Sequence, residues 1–379
     1  MMNSKNYDKV KNMITLKNLT NWKKLISGRK EFEWVNNLVE KLSNVPIIEM
    51  TQNENVIIRP RNKKECSRTP DCYLGVNVYV SNPYIGCVHG CSYCYAQYFK
   101  DIKDREKLEP IYVRKNFAQM VCDEISRKPS LKNKIINFGS ATDPYQPLEL
   151  HYRFFRRIIP FFREHDLWFY LATKSNLVIR DIDLLKGYEK AWIGIILTSL
   201  DDNIMKIFEP NRPSSSLVLD AIKSLTEANI KVVVRIDPLI PGVNDNLDFL
   251  RNMIDILKSI GVKAITAGIL KAKFAMLQSK GYQQPIWRKP WYQSISEYKE
   301  KTGLDIEKVI NEGFTEDYPY GYKIPPLTER LKMLAPIAEY ATSHGISFSV
   351  CEMGMNLIEA LGSNCSRFCA CVYGVKENR

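Results

Sequence analysis

No run of 18 apolar residues occurs anywhere in the 379-residue chain, although roughly that length is needed for a helix to cross a bilayer. The opening stretch, MMNSKNYDKVKNMITLKNL, also lacks the apolar core of a secretory signal. A membrane span is therefore not expected. No internal repeat or low-complexity tract is evident. Cysteine is missing from residues 123 to 350, although the chain holds ten. A disulfide framework would spread its cysteines. Here they gather as Cys66 and Cys72, then Cys87, Cys91 and Cys94, then Cys351, Cys365, Cys369 and Cys371, with Cys122 apart. Such clustering points to metal rather than disulfides, hence to a reducing compartment, and a cytoplasmic location is expected.

An apolar content of 45% can build a large core. The length suits one α/β barrel with additions. Net charge is +12, and half of that excess lies in residues 1–75, with 14 Lys/Arg against 8 Asp/Glu. A basic chain is compatible with a nucleic acid or another anionic partner, and equally with a lysine-rich solvated surface.

Four regions follow from the patterning. Residues 1–75 read as a basic N-terminal extension with a helical stretch, NWKKLISGRKEFEWVNNLVEKLSN. From 76 to 270 short apolar runs (VNVYVS, KIINFGS, LWFYLATKS, AWIGIILTS, IKVVVRIDP, VKAITAGIL) alternate with amphipathic helical stretches. That alternation predicts parallel βαβ units and a barrel whose chemistry collects at the carboxyl ends of its strands. Residues 271–325 break the rhythm with ten aromatics, Trp287, Trp291, Tyr318, Tyr320 and Tyr322 among them. Aromatics so placed can stack bases, and core or lid roles are commoner. Residues 326–379 hold a last helix, the strand ISFSVCEM and a cysteine-rich tail.

Cys87, Cys91 and Cys94 stand as C-x3-C-x2-C in NPYIGCVHGCSYCYAQ, directly after the first predicted strand. Three thiolates can hold three corners of a [4Fe–4S] cube and leave the fourth iron open, whereas zinc wants a fourth protein ligand. His89, inside the loop, could supply one, so zinc stays open on spacing alone.

The triplet, with an aromatic before its last cysteine, resembles the radical S-adenosylmethionine signature. The ordered set NPYIGCVHGCSYCYA, GSATDPYQPLE, TKSNLVIRDIDLL, FEPNRPSSS and IDPLIPGVND is similar to the spore-photoproduct-lyase-like branch of that superfamily, often labelled DNA repair photolyase, over roughly residues 60–270. The resemblance implies a partial (β/α)6 barrel of the TIM type. It implies a [4Fe–4S] cluster on Cys87, Cys91 and Cys94, S-adenosylmethionine bound at the open iron, a 5′-deoxyadenosyl radical that takes hydrogen from the substrate, and an electron donor such as flavodoxin or ferredoxin. It places Lys174 on the methionine carboxylate, Ser199 on the cofactor, Ser140 and Asp143 at the methionine amine, Tyr93 by the adenine and Tyr95 in the pocket. For each a plainer role exists: a solvated lysine, a strand-end turn serine, a helix cap on TDP, core tyrosines.

The chain departs from that branch at one point. A hydrogen-donating cysteine is expected at the end of the second strand, and Ser140 and Ala141 stand there instead, so spore photoproduct repair itself is doubted. The substrate expected is a nucleic acid or a ribosomally made peptide. Cys351, Cys365, Cys369 and Cys371 can bind an auxiliary iron–sulfur cluster, which often accompanies peptide modification in this superfamily. One of them could instead replace the missing donor, or all could be free thiols or a zinc clip, and Cys66 and Cys72 could complete a cluster. The alternative of another class is a non-catalytic, metal-stabilised nucleic-acid-binding protein.

Overall fold

The computed structural model describes residues 13–51, 57–60, 78–98, 109–273, 276, 284–318, 321–350 and 355–365. Its centre is a sheet of seven parallel strands: β1 (Val78–Ser81), β2 (Ile135–Phe138), β3 (Trp168–Thr173), β4 (Ala191–Ile196), β5 (Lys231–Leu239), β6 (Ala264–Ile269) and β7 (Ser347–Val350). They lie side by side in chain order, β1 to β7, and a two-residue strand, Arg59–Pro60, runs antiparallel to β1 at the edge. The sheet is that of a partial barrel, and among the described residues β1 and β7 do not pair. The strand read in ISFSVCEM extends it as β7, with Thr266 opposite Ser349.

The apolar runs become strands because both faces of a parallel sheet are covered. In β4, Ala191, Ile193 and Ile195 belong to the main core, while Trp192, Gly194 and Ile196 alternate to the other face. The covering helices are α1 (Phe117–Arg127), α2 (Phe154–Glu164), α3 (Asp202–Phe208), α4 (Ser215–Glu227) and α5 (Leu247–Ser259), followed by α6 (Trp291–Thr302) and α7 (Leu327–Ser343). Their starts are set locally. The side chains of Asp201, Ser214 and Asn246 accept the first free amides of α3, α4 and α5.

A second sheet joins Met13–Thr15, Pro46–Met50, Ile111–Arg114 and Tyr84–Ile85. Its last strand ends one residue before Gly86 and the cysteine loop. Leu16, Trp22, Phe32, Val35 and Ile47 lie in the same core cluster as the barrel strands. The aromatic-rich region after β6 contributes core: Trp287 and Trp291 are buried, and Trp291 packs on Phe208 with ring centroids 5.7 Å apart. No described helix is long and apolar enough to cross a membrane.

Candidate active site

The cysteine loop lies immediately past β1 and Tyr84–Ile85, at the carboxyl end of the sheet. Cys91 is buried, Cys87 and Cys94 are partly so, and all three are free thiols. Gly86 and Gly90, with φ of 94° and 61°, take the backbone through the left-handed region that the tight turn requires. The loop is pinned from several sides. Gln146, just after β2, accepts from Val88 N at 3.0 Å and donates to Gly86 O at 3.2 Å. Asn211, past α3, donates to Val88 O at 2.8 Å. Ser92 N donates to Phe208 O at 2.8 Å.

Beneath the loop sits a carboxylate that sequence reading passed over. Glu209 Oε1 accepts from Lys174 Nζ and Thr198 Oγ1, each at 2.9 Å, and from the Tyr93 hydroxyl. Arg212 Nε forms an ion pair with its Oε2 at 3.1 Å. Burial alone would raise this acid, but Lys174 and Arg212 outweigh it and hold Glu209 at about 2. Burial and the adjacent carboxylate push the Tyr93 phenol well up, so it stays a donor. The only sequence signal for Glu209 was FEPNRP, and nothing in that string says which elements the carboxylate faces.

The other expected site residues gather at the same end, each with protein partners. Lys174 is not a solvated lysine: it is 8% exposed, and its ammonium lies 5.5 Å from the Tyr93 ring centre as well as on Glu209. Asp143 accepts from Tyr145 N at 2.9 Å, Thr173 Oγ1 at 2.6 Å and Lys174 N at 2.8 Å, stitching the end of β2 to the end of β3. His89 Nδ1 is 3.3 Å from Asp143 Oδ2, and burial lowers its pKa. Ser140 Oγ accepts from Asn82 at 3.0 Å, and its carbonyl accepts from the Tyr95 hydroxyl. Ser199 Oγ accepts from Asp201 N at 3.1 Å, a strand-end turn. Cys365 is buried in the main core with α7 residues, where burial raises its thiol to about 11. Cys351, Cys369, Cys371, Cys66 and Cys72 lie outside the described residues, as does Tyr320.

Residues 81–268, from the end of β1 to near the end of β6, match the Radical SAM superfamily model. That stretch of this chain is similar to the superfamily. An uncharacterized protein of Methanocaldococcus jannaschii is 32% identical over 44% of this chain and 62% of its own length. The Radical SAM Nalpha-GlyT isomerase of Pseudomonas phage M6 is 23% identical over 76% of this chain and 56% of its own. This chain thus spans less than two thirds of either relative. Spore photoproduct lyase, solved in complex with dinucleoside spore photoproduct, shares the fold with a TM-score of 0.57 and 14% identity, over 80% of this chain and 82% of that one.

The residues present fit the iron–sulfur cluster that the radical SAM family implies. Three free thiols fall within eight residues. Burial, with Asp143 nearby, raises Cys87 to about 12, and burial puts Cys91 well above its ordinary value. Both are therefore neutral before metal arrives, and ligation has to release their protons. No three described His, Cys, Asp or Glu residues are disposed around one metal ion. A cube does not ask for that, because each thiolate takes a different iron. Cys91 and Tyr93 rest on an apolar bed that includes Met205, Phe208 and Trp291, a setting that keeps water from the site.

Proposed function

We propose that this protein is a radical SAM enzyme in which Cys87, Cys91 and Cys94 hold three irons of a [4Fe–4S] cluster and the fourth iron takes S-adenosylmethionine. When bound, the cluster and S-adenosylmethionine supply a 5′-deoxyadenosyl radical that removes a hydrogen atom from the substrate. The observation that carries this reading is the triplet of free thiols at the carboxyl end of the first barrel strand, above a buried node of Tyr93, Lys174 and Glu209.

The chain's own residues bind and orient. Lys174 supplies the cation for the methionine carboxylate, and because it stands on Glu209 it is held at one position rather than swinging on its flexible stem. Ser140, Asp143 and Ser199 mark the rim of the cofactor site at the ends of β2 and β4. Tyr93 is fixed on Glu209 by the loop. Tyr95, 45% exposed, is the tyrosine on the substrate side. The aromatic bed keeps water out.

We infer a nucleic acid as the substrate class. Spore photoproduct lyase, with the same fold, takes a dinucleoside spore photoproduct, and a net charge of +12 suits a polyanion. Ser140 and Ala141 offer no thiol, so the product radical is quenched differently from one that meets a donor cysteine there. The electron comes from a flavodoxin- or ferredoxin-like partner.

The test uses anaerobically reconstituted protein, a reductant and S-adenosylmethionine. Release of 5′-deoxyadenosine is expected, and Cys91→Ala should abolish it. A variant that still releases it after reconstitution rules the assignment out. Deuterium passing into 5′-deoxyadenosine from a labelled oligonucleotide, and not from labelled peptides, supports the substrate class; the reverse overturns it.

A further inference from the structure

The cysteine loop is held by more than the matched domain. Two segments outside residues 81–268 reach it, and one side chain touches both. Asn211 Nδ2 donates to Val88 O at 2.8 Å and to Trp287 O at 3.3 Å, while its Oδ1 accepts from Lys41 Nζ at 2.7 Å. Val88 follows Cys87. Lys41 ends the helix Trp34–Lys41 of the N-terminal region, and Trp287 belongs to the region after β6. A single buried amide, 5% exposed, therefore joins three parts of the chain around the loop.

The surrounding contacts agree. Lys289 N donates to Gly90 O at 3.3 Å. A Cβ on Gly90 would lie 2.0 Å from Trp287 O, and one on Gly86 would lie 3.5 Å from the Trp287 ring, so the backbone at Trp287 and the loop touch closely. The Trp287 indole is itself anchored, donating to Glu109 O at 2.8 Å. On the other side the Trp34 ring centre is 6.4 Å from that of His89, and its Nε1 donates to Asn176 Oδ1 at 2.9 Å, two residues past Lys174.

We propose that Asn211 is a positioning residue that braces the cysteine loop between the N-terminal helix and the Trp287 segment, so that the thiols are already placed before iron arrives and release it slowly afterwards. This rests on the loop's being the cluster site. The physical reason is that a free loop of this length would lose backbone entropy on ligation, and the brace removes that loss in advance. The aromatic-rich region thereby acts on the cluster loop as a clamp.

The test is hydrogen exchange on the metal-free full chain, with chelator-driven iron loss on the loaded protein as second readout. Asn211→Ala, which removes all three contacts, should speed exchange in residues 86–94 about tenfold and leave strand residues 191–196 unchanged, because two or three hydrogen bonds of ordinary net strength are lost. Lys41→Met, which releases only the N-terminal helix, should do so about threefold, and it decides the matter if Asn211→Ala does not fold. Iron loss to a chelator should accelerate in the same order. Unchanged exchange in residues 86–94, or equal acceleration throughout the chain, overturns the proposal. If wild type releases no 5′-deoxyadenosine while the exchange result holds, the brace stands and the enzymatic reading falls.

Discussion

Glu149 and Glu209 are both sealed from solvent, at 0% and 1% exposure, yet burial wins at one and loses at the other. Glu149 accepts from Tyr84 OH and Phe155 N, each at 3.0 Å, and has one cation, Arg180, at 3.0 Å. Arg180 is shared: it also holds Asp181 at 2.6 Å, and Tyr145 OH donates to that same aspartate at 2.7 Å. With half a cation to itself, Glu149 stays above its ordinary pKa because of burial. Glu209 has two cations, Lys174 and Arg212, and falls to about 2. Lys174 and Arg212, with the hydrogen bonds from Tyr93 and Lys174, outweigh burial at Glu209, whereas the shared Arg180 does not at Glu149. The two nodes also differ in what they serve. Tyr84, Glu149, Arg180 and Asp181 tie the strand before the cysteine loop to the segments after β2 and β3, so that node is a foundation. Glu209 lies directly under Tyr93 and Lys174, so that node borders the proposed cofactor site.

The largest expected effect comes from breaking the foundation. Arg180→Met leaves the buried Glu149 and Asp181 with one cation between them among the described residues, Arg156 at 3.4 Å from Asp181, and removing one partner of a buried pair costs about 3–5 kcal/mol. Urea unfolding of the variant and wild type measures this, and a loss below about 1 kcal/mol would show that the network is dispensable.

Breaking the site node should act on binding instead. Lys174→Ala removes one charge-assisted contact, worth roughly 1.5–3 kcal/mol, so S-adenosylmethionine affinity should fall about ten- to a hundredfold while iron content stays. Unchanged affinity by titration would leave Lys174 as a counterion of Glu209 alone.

The smallest effect sharpens the contrast in sign. Glu149, with its folded pKa raised, contributes stability that is full below its unfolded value, about 4.5, and is lost as pH rises through the folded one. Glu149→Gln should therefore flatten part of the decline in stability on the alkaline side of about pH 4.5. Glu209, with its folded pKa lowered, contributes stability present above about 4.5 and lost as pH falls toward 2. Above pH 5 the difference between wild type and Glu209→Gln should be constant. Unfolding midpoints across pH 3–8 check both, and a Glu209→Gln difference that varies between pH 5 and 8 would refute the comparison.

Several of the stretches that carried the family resemblance turn out to be support rather than chemistry. DPYQPLE and NLVIRDIDLL supply Tyr145, Glu149, Arg180 and Asp181 to the foundation node, and Gln146 to the back of the cysteine loop. Lys174 was legible because the apolar run of β3 ends there. Ser199 was legible as a strand-end residue, and its hydroxyl is engaged in the turn that the plainer reading expected.

The sequence by itself determined the local things. Apolar runs of strand length between amphipathic stretches settled the parallel sheet, down to the late strand Ser347–Val350. The spacing of Cys87, Cys91 and Cys94 put three thiols into one loop, because spacing within eight residues is a property of the chain. The tertiary structure decided which distant groups meet. Tyr93 finds Glu209 across 116 positions and Asn211 finds Val88 across 123. Periodicity and spacing reach only as far as a turn or a helix, and such pairs are fixed by the folding of the sheet that brings the strand ends to one rim.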